Sequence, residues 1–142
     1  MLKKIPRTLS PYLLKILMEM GHGDEVVIGD GNFPAASHAN KLIRCDGLGT
    51  TELLESILEL FPLDTYVDTP VSLMAVGDSA AKDPEIWQSY NRILKASEEE
   101  NVQIEYIDRF DFYKRSKEAY AIVTTSEKAL YANIILKKGV IS

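Results

Sequence analysis

His22 is the residue of this 142-residue chain whose type and setting best suit proton transfer. It stands between two glycines in the stretch Met20-Gly21-His22-Gly23-Asp24-Glu25. An imidazole titrates near neutrality, where a general acid or base is most effective. Flanking glycines let the backbone bend closely around a ligand. The competing reading is an incidental polar residue in a tight connection between two elements. Tyr113 adds a phenol that can donate or accept a proton, and a tyrosine near an arginine and a carboxylate suits a sugar site. Asp30 and Arg109 supply such groups, although an aspartate at a strand end is also a common turn residue. For the aromatic neighbours Phe110 and Phe112, filling of a core or an interface is the preferred reading. Read alone, Tyr131-Ala132-Asn133 is simply the start of a strand, and His38 is a surface or loop residue.

Other chemistries lack their residues. Two histidines and one cysteine do not have zinc-site spacing, and Asp24-Glu25 with Asp30 does not follow a calcium loop. Gly47, Gly49 and Thr50-Thr51 lack the lysine of a phosphate loop, and neither Ser79 nor Ser126 sits in a nucleophile elbow. Covalent catalysis is disfavoured, and proton transfer without a cofactor stays open. A formal net charge of −5 disfavours a nucleic-acid partner, which demands a basic surface. Met1 to Arg7 is basic but is followed by no apolar run of the signal-peptide kind, and Lys15 and Glu19 interrupt the stretch ending at Met20, so no membrane span is expected. A single cysteine, Cys45, can form no internal disulfide, which fits a reducing compartment and a cytoplasmic location.

The elements that must position these residues alternate between helical and strand periods. Ser10-Pro11 is a helix start, Leu13, Leu14, Ile16, Leu17 and Met20 form an apolar face, and Gly21 suits the stop. Val26 to Ile28 is a buried strand that ends at Asp30-Gly31. A helix is predicted over Thr51 to Phe61, a strand over Val71 to Val76 ending at Gly77-Asp78, and a helix from Asp83-Pro84-Glu85 with Ile86, Trp87, Tyr90, Ile93 and Leu94 as its stripe. Val102 to Ile107 reads as a strand, Arg109 to Lys117 as a helix, and Ala119 to Thr124 and Tyr131 to Leu136 as strands. This order implies one α/β domain over residues 1–142, with a mainly parallel sheet covered by helices on both faces. Ligands of open α/β sheets sit beyond the carboxyl ends of the strands, which is where Asp30 and Arg109 fall.

Over essentially its whole length the chain resembles the RbsD/FucU family, and more closely its L-fucose mutarotase branch. The resemblance is carried by Ser10-Pro11, the Met20 to Glu25 stretch, Asp30 with Asn32-Phe33-Pro34-Ala35, and Arg44-Cys45-Asp46-Gly47-Leu48-Gly49. It continues through Pro62-Leu63-Asp64-Thr65-Tyr66, Arg109-Phe110-Asp111-Phe112-Tyr113 and the run from Tyr131 to Val140. The ribose-type branch is similar around Gly-His and Tyr-Ala-Asn, but typically has a histidine where this chain has Arg109. The resemblance implies that His22 is the proton donor, with Asp64 and Tyr113 as further catalytic positions. It also implies that Asp30, Met74, Arg109, Tyr131 and Asn133 contact the sugar, and that subunits form rings, commonly stacked into decamers, with sites at subunit boundaries.

The expected reaction is the interconversion of the α and β anomers of a free monosaccharide, L-fucose first, with no cofactor. An acid protonates the ring oxygen while a base takes the anomeric hydroxyl proton; the ring opens, the carbonyl rotates and the ring recloses. Alternatives are a D-ribose pyranase, a non-catalytic sugar-binding or transport-accessory module, and a purely structural assembly protein.

Overall fold

The computed structural model describes residues 1–77, 82–97 and 101–142. The first helix, α1 (Pro11–Glu19), starts as its sequence dictates: Pro11 takes the first helical position and the Ser10 hydroxyl accepts from the Leu13 N–H at 3.1 Å. Its end differs from expectation. Gly21 is not left-handed; Met20 leaves the helix in an extended conformation, and the Asp24 carboxylate accepts from the Gly21 N–H at 2.7 Å. An aspartate thus terminates the turn in place of a left-handed glycine.

β3 (Val71–Met74), β4 (Ile104–Ile107) and β5 (Ala121–Thr124) fall within the segments read as strands, and β1 (Glu25–Ile28) begins one residue before its segment. The helices α3 (Thr50–Leu58), α4 (Glu85–Ser97) and α5 (Arg109–Glu118) match the segments read as helices to within a few residues at their ends. Two short elements are additional, α2 (Ala35–His38) and β2 (Leu42–Arg44). The last strand, β6 (Ile134–Lys137), begins later than expected because Tyr131 adopts a left-handed conformation, φ 57°, which interrupts extended backbone. Asp78 and Ser79 lie outside the described residues.

The strands form one six-stranded sheet in the order β2-β5-β1-β6-β3-β4. Every pairing is parallel except the two made by β6, which runs antiparallel to both β1 and β3. Successive side chains alternate between two apolar layers. Val26, Ile28, Ile134 and Leu136 face α1, α3 and α4 through Leu13, Leu53, Ile57 and Tyr90. Val27, Ile122 and Ile135 face the other way, onto Phe112 of α5 and Ala35 of α2. Helices therefore cover both faces, which explains why the central strands read as continuous apolar runs. Phe112 fills the core as expected, but Phe110, two residues earlier on α5 and so on its opposite side, is 74% exposed and takes no part in it. Among the described residues no helix is long and apolar enough to cross a membrane.

Candidate active site

Because β6 runs against its neighbours, its first residues meet the carboxyl ends of the parallel strands. There the Asn133 side-chain oxygen accepts from the Asp30 N–H at 2.7 Å, joining the end of β1 to the entry of β6. The Asp30 side chain is buried, and its carboxylate accepts from the Asn32 N–H at 2.9 Å. Burial raises its pKa above the ordinary carboxylate value; the Asn32 and Phe33 N–H groups oppose this, and the nearby Glu127 charge adds to it. Asp30 is thus a carboxylate biased towards holding a proton.

Tyr113, on α5, reaches the same edge of the sheet. Its ring meets Phe33 at 5.7 Å between centroids and His38 at 5.5 Å, both edge-on. Met74, the last residue of β3, is buried in the apolar layer that also holds Phe112. Arg109, the first residue of α5, is exposed, with its guanidinium over the Phe110 ring at 5.3 Å. Tyr131 stands on the same edge, with its carbonyl accepting from the Trp87 indole N–H at 2.9 Å. Six of the eight sequence-predicted site residues, Asp30, Met74, Arg109, Tyr113, Tyr131 and Asn133, therefore share the carboxyl edge of the sheet.

His22 and Asp64 are elsewhere. His22 precedes β1, and Asp64 precedes β3 with its N–H donating to the Lys137 carbonyl at the exit of β6, so both occupy the amino edge. The two meet each other: His22 Nε2 lies 3.1 Å from Asp64 Oδ1. The Asp64 side chain is only 3% exposed and also accepts from the Tyr66 N–H, whereas the His22 side chain is 45% exposed. A carboxylate acceptor at this distance favours the imidazole form that carries a proton on Nε2. The length of β1, ~10 Å, and a turn at each end separate this pair from Asp30. The chain thus holds the eight residues in two separate groups, one at each edge of the sheet.

Two residues beside these groups were not singled out from the sequence. Tyr66 lies against His22, with ring centroids 5.2 Å apart, and His38 completes the aromatic group around Tyr113. The four-residue helix α2, too short to show a period, carries His38 out of the loop and towards α5. Tyr120, just before β5, lies apart from this group, with Lys41 4.1 Å over its ring.

Comparison with known proteins agrees over the whole chain. Residues 3–141 match the model of the RbsD / FucU transport protein family. An L-fucose mutarotase of Actinobacillus pleuropneumoniae serotype 5b is 47% identical over 99% of this chain and 97% of its own length. The crystal structure of the fucose mutarotase of Streptococcus pneumoniae in complex with L-fucose superimposes with a TM-score of 0.94 at 57% identity, covering 99% of this chain and all of the other. Bacillus subtilis RbsD complexed with D-ribose shares the fold more distantly, with a TM-score of 0.73 and 27% identity over 94% of this chain and 95% of its own. The protein belongs to the RbsD/FucU family.

Proposed function

We propose that this single-domain protein is a cytoplasmic L-fucose mutarotase whose active site is shared between two subunits of a ring, ten subunits in all by family likeness. The observation that carries the reading is the division of the expected site residues between the two edges of the sheet. The His22–Asp64 pair is a proton-transfer unit with Tyr66 beside it, at the opposite edge from Asp30 and Asn133. The Asp30, Asn133, Tyr131, Arg109 and Tyr113 edge is a polar and aromatic cradle whose imidazole, His38, lies against Tyr113 and Ser37; among the described residues no carboxylate pairs with it. A neighbour that places its amino edge against this carboxyl edge completes both. An apolar groove of about 850 Å³ on the His22 side, lined by Met18, Leu60, Pro62 and Ile141 among others, gives such a neighbour surface to cover. The preference for fucose over ribose is supported by the higher identity to fucose mutarotases.

In the proposed mechanism the cradle fixes the hydroxyl pattern through Asp30, Asn133, Tyr131 and Arg109, with Met74 as an apolar contact. His22, held by Asp64, exchanges a proton with the sugar, and Tyr113 serves the second oxygen. As one of the two groups protonates the ring oxygen, the other takes the proton of the anomeric hydroxyl. The C1–O5 bond breaks, the aldehyde turns and the ring closes on either face. Positioned acid–base catalysis contributes typically ~10²–10⁴-fold.

Subunit complementation tests this. His22→Ala and Asp30→Asn each abolish anomer exchange of L-fucose, read by saturation-transfer NMR against D-ribose, L-rhamnose and D-galactose. Mixing the two variants through unfolding and reassembly restores about a quarter of the wild-type rate, because random pairing leaves that fraction of boundaries with both intact halves. Assembled mixtures that stay inactive refute the shared site. A wild-type protein that binds L-fucose without exchanging it refutes catalysis.

A further inference from the structure

Tyr131 and Asn133 are separated by one residue, and their carbonyl and side-chain groups point to different partners. Tyr131 is left-handed, at φ 57°, a conformation a non-glycine residue holds only when its surroundings enforce it. Two side chains of α4 do so. The Trp87 indole N–H donates to the Tyr131 carbonyl at 2.9 Å, and one turn on, the Tyr90 hydroxyl donates to the Ala132 carbonyl at 2.5 Å. Both donors are buried, Trp87 at 5% and Tyr90 at 0% exposure. Behind Tyr90 stands Thr50 at the start of α3, 2.7 Å from its hydroxyl, and Thr50 is in turn bound through N–H and hydroxyl to the Glu127 carboxylate. Glu127 also accepts the Lys128 and Ala129 N–H groups, so both ends of the β5–β6 connection are tied down.

We infer that Trp87 and Tyr90 are positioning residues of the sugar cradle: they hold consecutive carbonyls so that Asn133 meets the Asp30 backbone and Tyr131 faces the substrate. They touch no reacting atom. This rests on the proposed sugar site, and it adds a helix that the site residues themselves do not include. Since Asn133 and Tyr131 hold ground state and transition state alike, loss of either donor weakens binding and leaves turnover nearly intact.

The test measures KM and kcat for L-fucose anomer exchange in the full assembly, with thermal unfolding recorded beside them. Tyr90→Phe deletes one hydroxyl and keeps the ring, and Trp87→Phe serves where that variant folds poorly. Either raises KM by roughly three- to tenfold, the worth of one hydrogen bond, with kcat changed less than about twofold. Gln88→Ala, on the exposed face of α4, leaves both constants unchanged. In the wild type, Trp87, the only tryptophan, shifts its fluorescence on addition of L-fucose, with a midpoint that moves in Tyr90→Phe as KM does. Folded variants with unchanged KM, or with kcat reduced and KM unchanged, overturn the inference while the activity stands. A wild type that exchanges none of the four sugars overturns the activity and this inference together.

Discussion

Gly139 offers the sharpest perturbation of the His22–Asp64 pair, although it lies far from both in sequence. A methyl group added at Gly139 meets the Leu63 carbonyl oxygen at 2.5 Å and the Asp64 Cα at 2.8 Å. The neighbours cannot yield as flexible side chains do, because both contacts are backbone. That backbone is pinned where it stands: the Gly139 N–H donates to the Pro62 carbonyl at 2.8 Å, and the Asp64 N–H to the Lys137 carbonyl at 3.0 Å. Restoring ordinary contact in Gly139→Ala requires the segment around Asp64 to withdraw by ~1 Å, a typical response to overpacking. His22 does not follow, since its loop is fastened to Lys138 by Gly23 N–H to Lys138 O and Lys138 N–H to Asp24 O, each at 2.8 Å. The 3.1 Å His22–Asp64 bond then opens to ~4 Å and is lost.

A displacement of this size at a reacting centre costs ~10²-fold in rate, equivalent to ~2.7 kcal/mol of barrier. The accompanying loss of stability is ~1–3 kcal/mol. Saturation-transfer NMR on L-fucose reads the rate per folded protein, and thermal unfolding reads the stability. Gly21→Ala is the comparison. Gly21 adjoins His22 in sequence, yet an added methyl there meets nothing nearer than the Asp24 carboxylate at 3.7 Å, an ordinary contact. It retains the wild-type rate to within about twofold, because no strain is imposed. Folded Gly139→Ala with an unchanged rate refutes the claim that the close approach at Gly139 holds the pair.

Further outcomes follow from individual groups. Asp30→Asn abolishes exchange but raises the unfolding temperature at neutral pH. The folded carboxyl has a pKa above its unfolded value, so the stability it contributes is present at low pH and lost as pH rises through the folded value. The difference in Tm between variant and wild type therefore grows from about pH 4 to pH 7; a constant difference shows that burial of the charge is not the cause. His38→Ala, which removes the edge contact to Tyr113, raises KM for L-fucose by about two- to tenfold, the worth of an aromatic pair, and an unchanged KM excludes His38 from the cradle. Cys45 is buried, and burial first, then the Asp46 charge, pushes its thiol pKa up. It reacts with a thiol reagent only after unfolding, and labelling of the native protein at the rate of a free thiol contradicts this.

Much of the fold was legible because burial on both sides of a sheet leaves apolar runs, as in Val26 to Ile28 and Val71 to Met74, bounded by turn residues. α1 carried its own start signal in Ser10-Pro11. β2 was not legible, being three residues at the sheet edge with one buried side chain, and neither was α2, four residues with no capping side chain. The reversed direction of β6 was hidden too. Helices between strands imply parallel pairing, but β5 and β6 are joined by a loop without a helix, and the left-handed Tyr131 turns the chain back. Of the site, Asp30 and Arg109 were readable as strand-end residues, and His22 by its glycines. Asp64 and Met74 carry no local signal and came only through family resemblance. No pattern along the chain told that His22 and Asp30 stand at opposite edges.

The reversed strand is also what links those edges. β6 enters at Asn133, which holds the Asp30 backbone, and leaves at Lys138 and Gly139, which hold the His22 loop and the segment before Asp64. Its Lys138 side chain reaches further, donating to the carbonyls of Leu17 and Met20 at the end of α1, where the turn carrying His22 begins. A β6 parallel to its neighbours would start at the amino edge, and Asn133 would then face the His22 pair instead of Asp30. A central antiparallel strand, hydrogen-bonded to both β1 and β3, sets the Asp30–Asn133 contact and the His22–Asp64 pair at a fixed distance within the chain. In the proposed ring that distance would repeat at every boundary, so the geometry that keeps the two groups apart in one chain would also set how each meets the next.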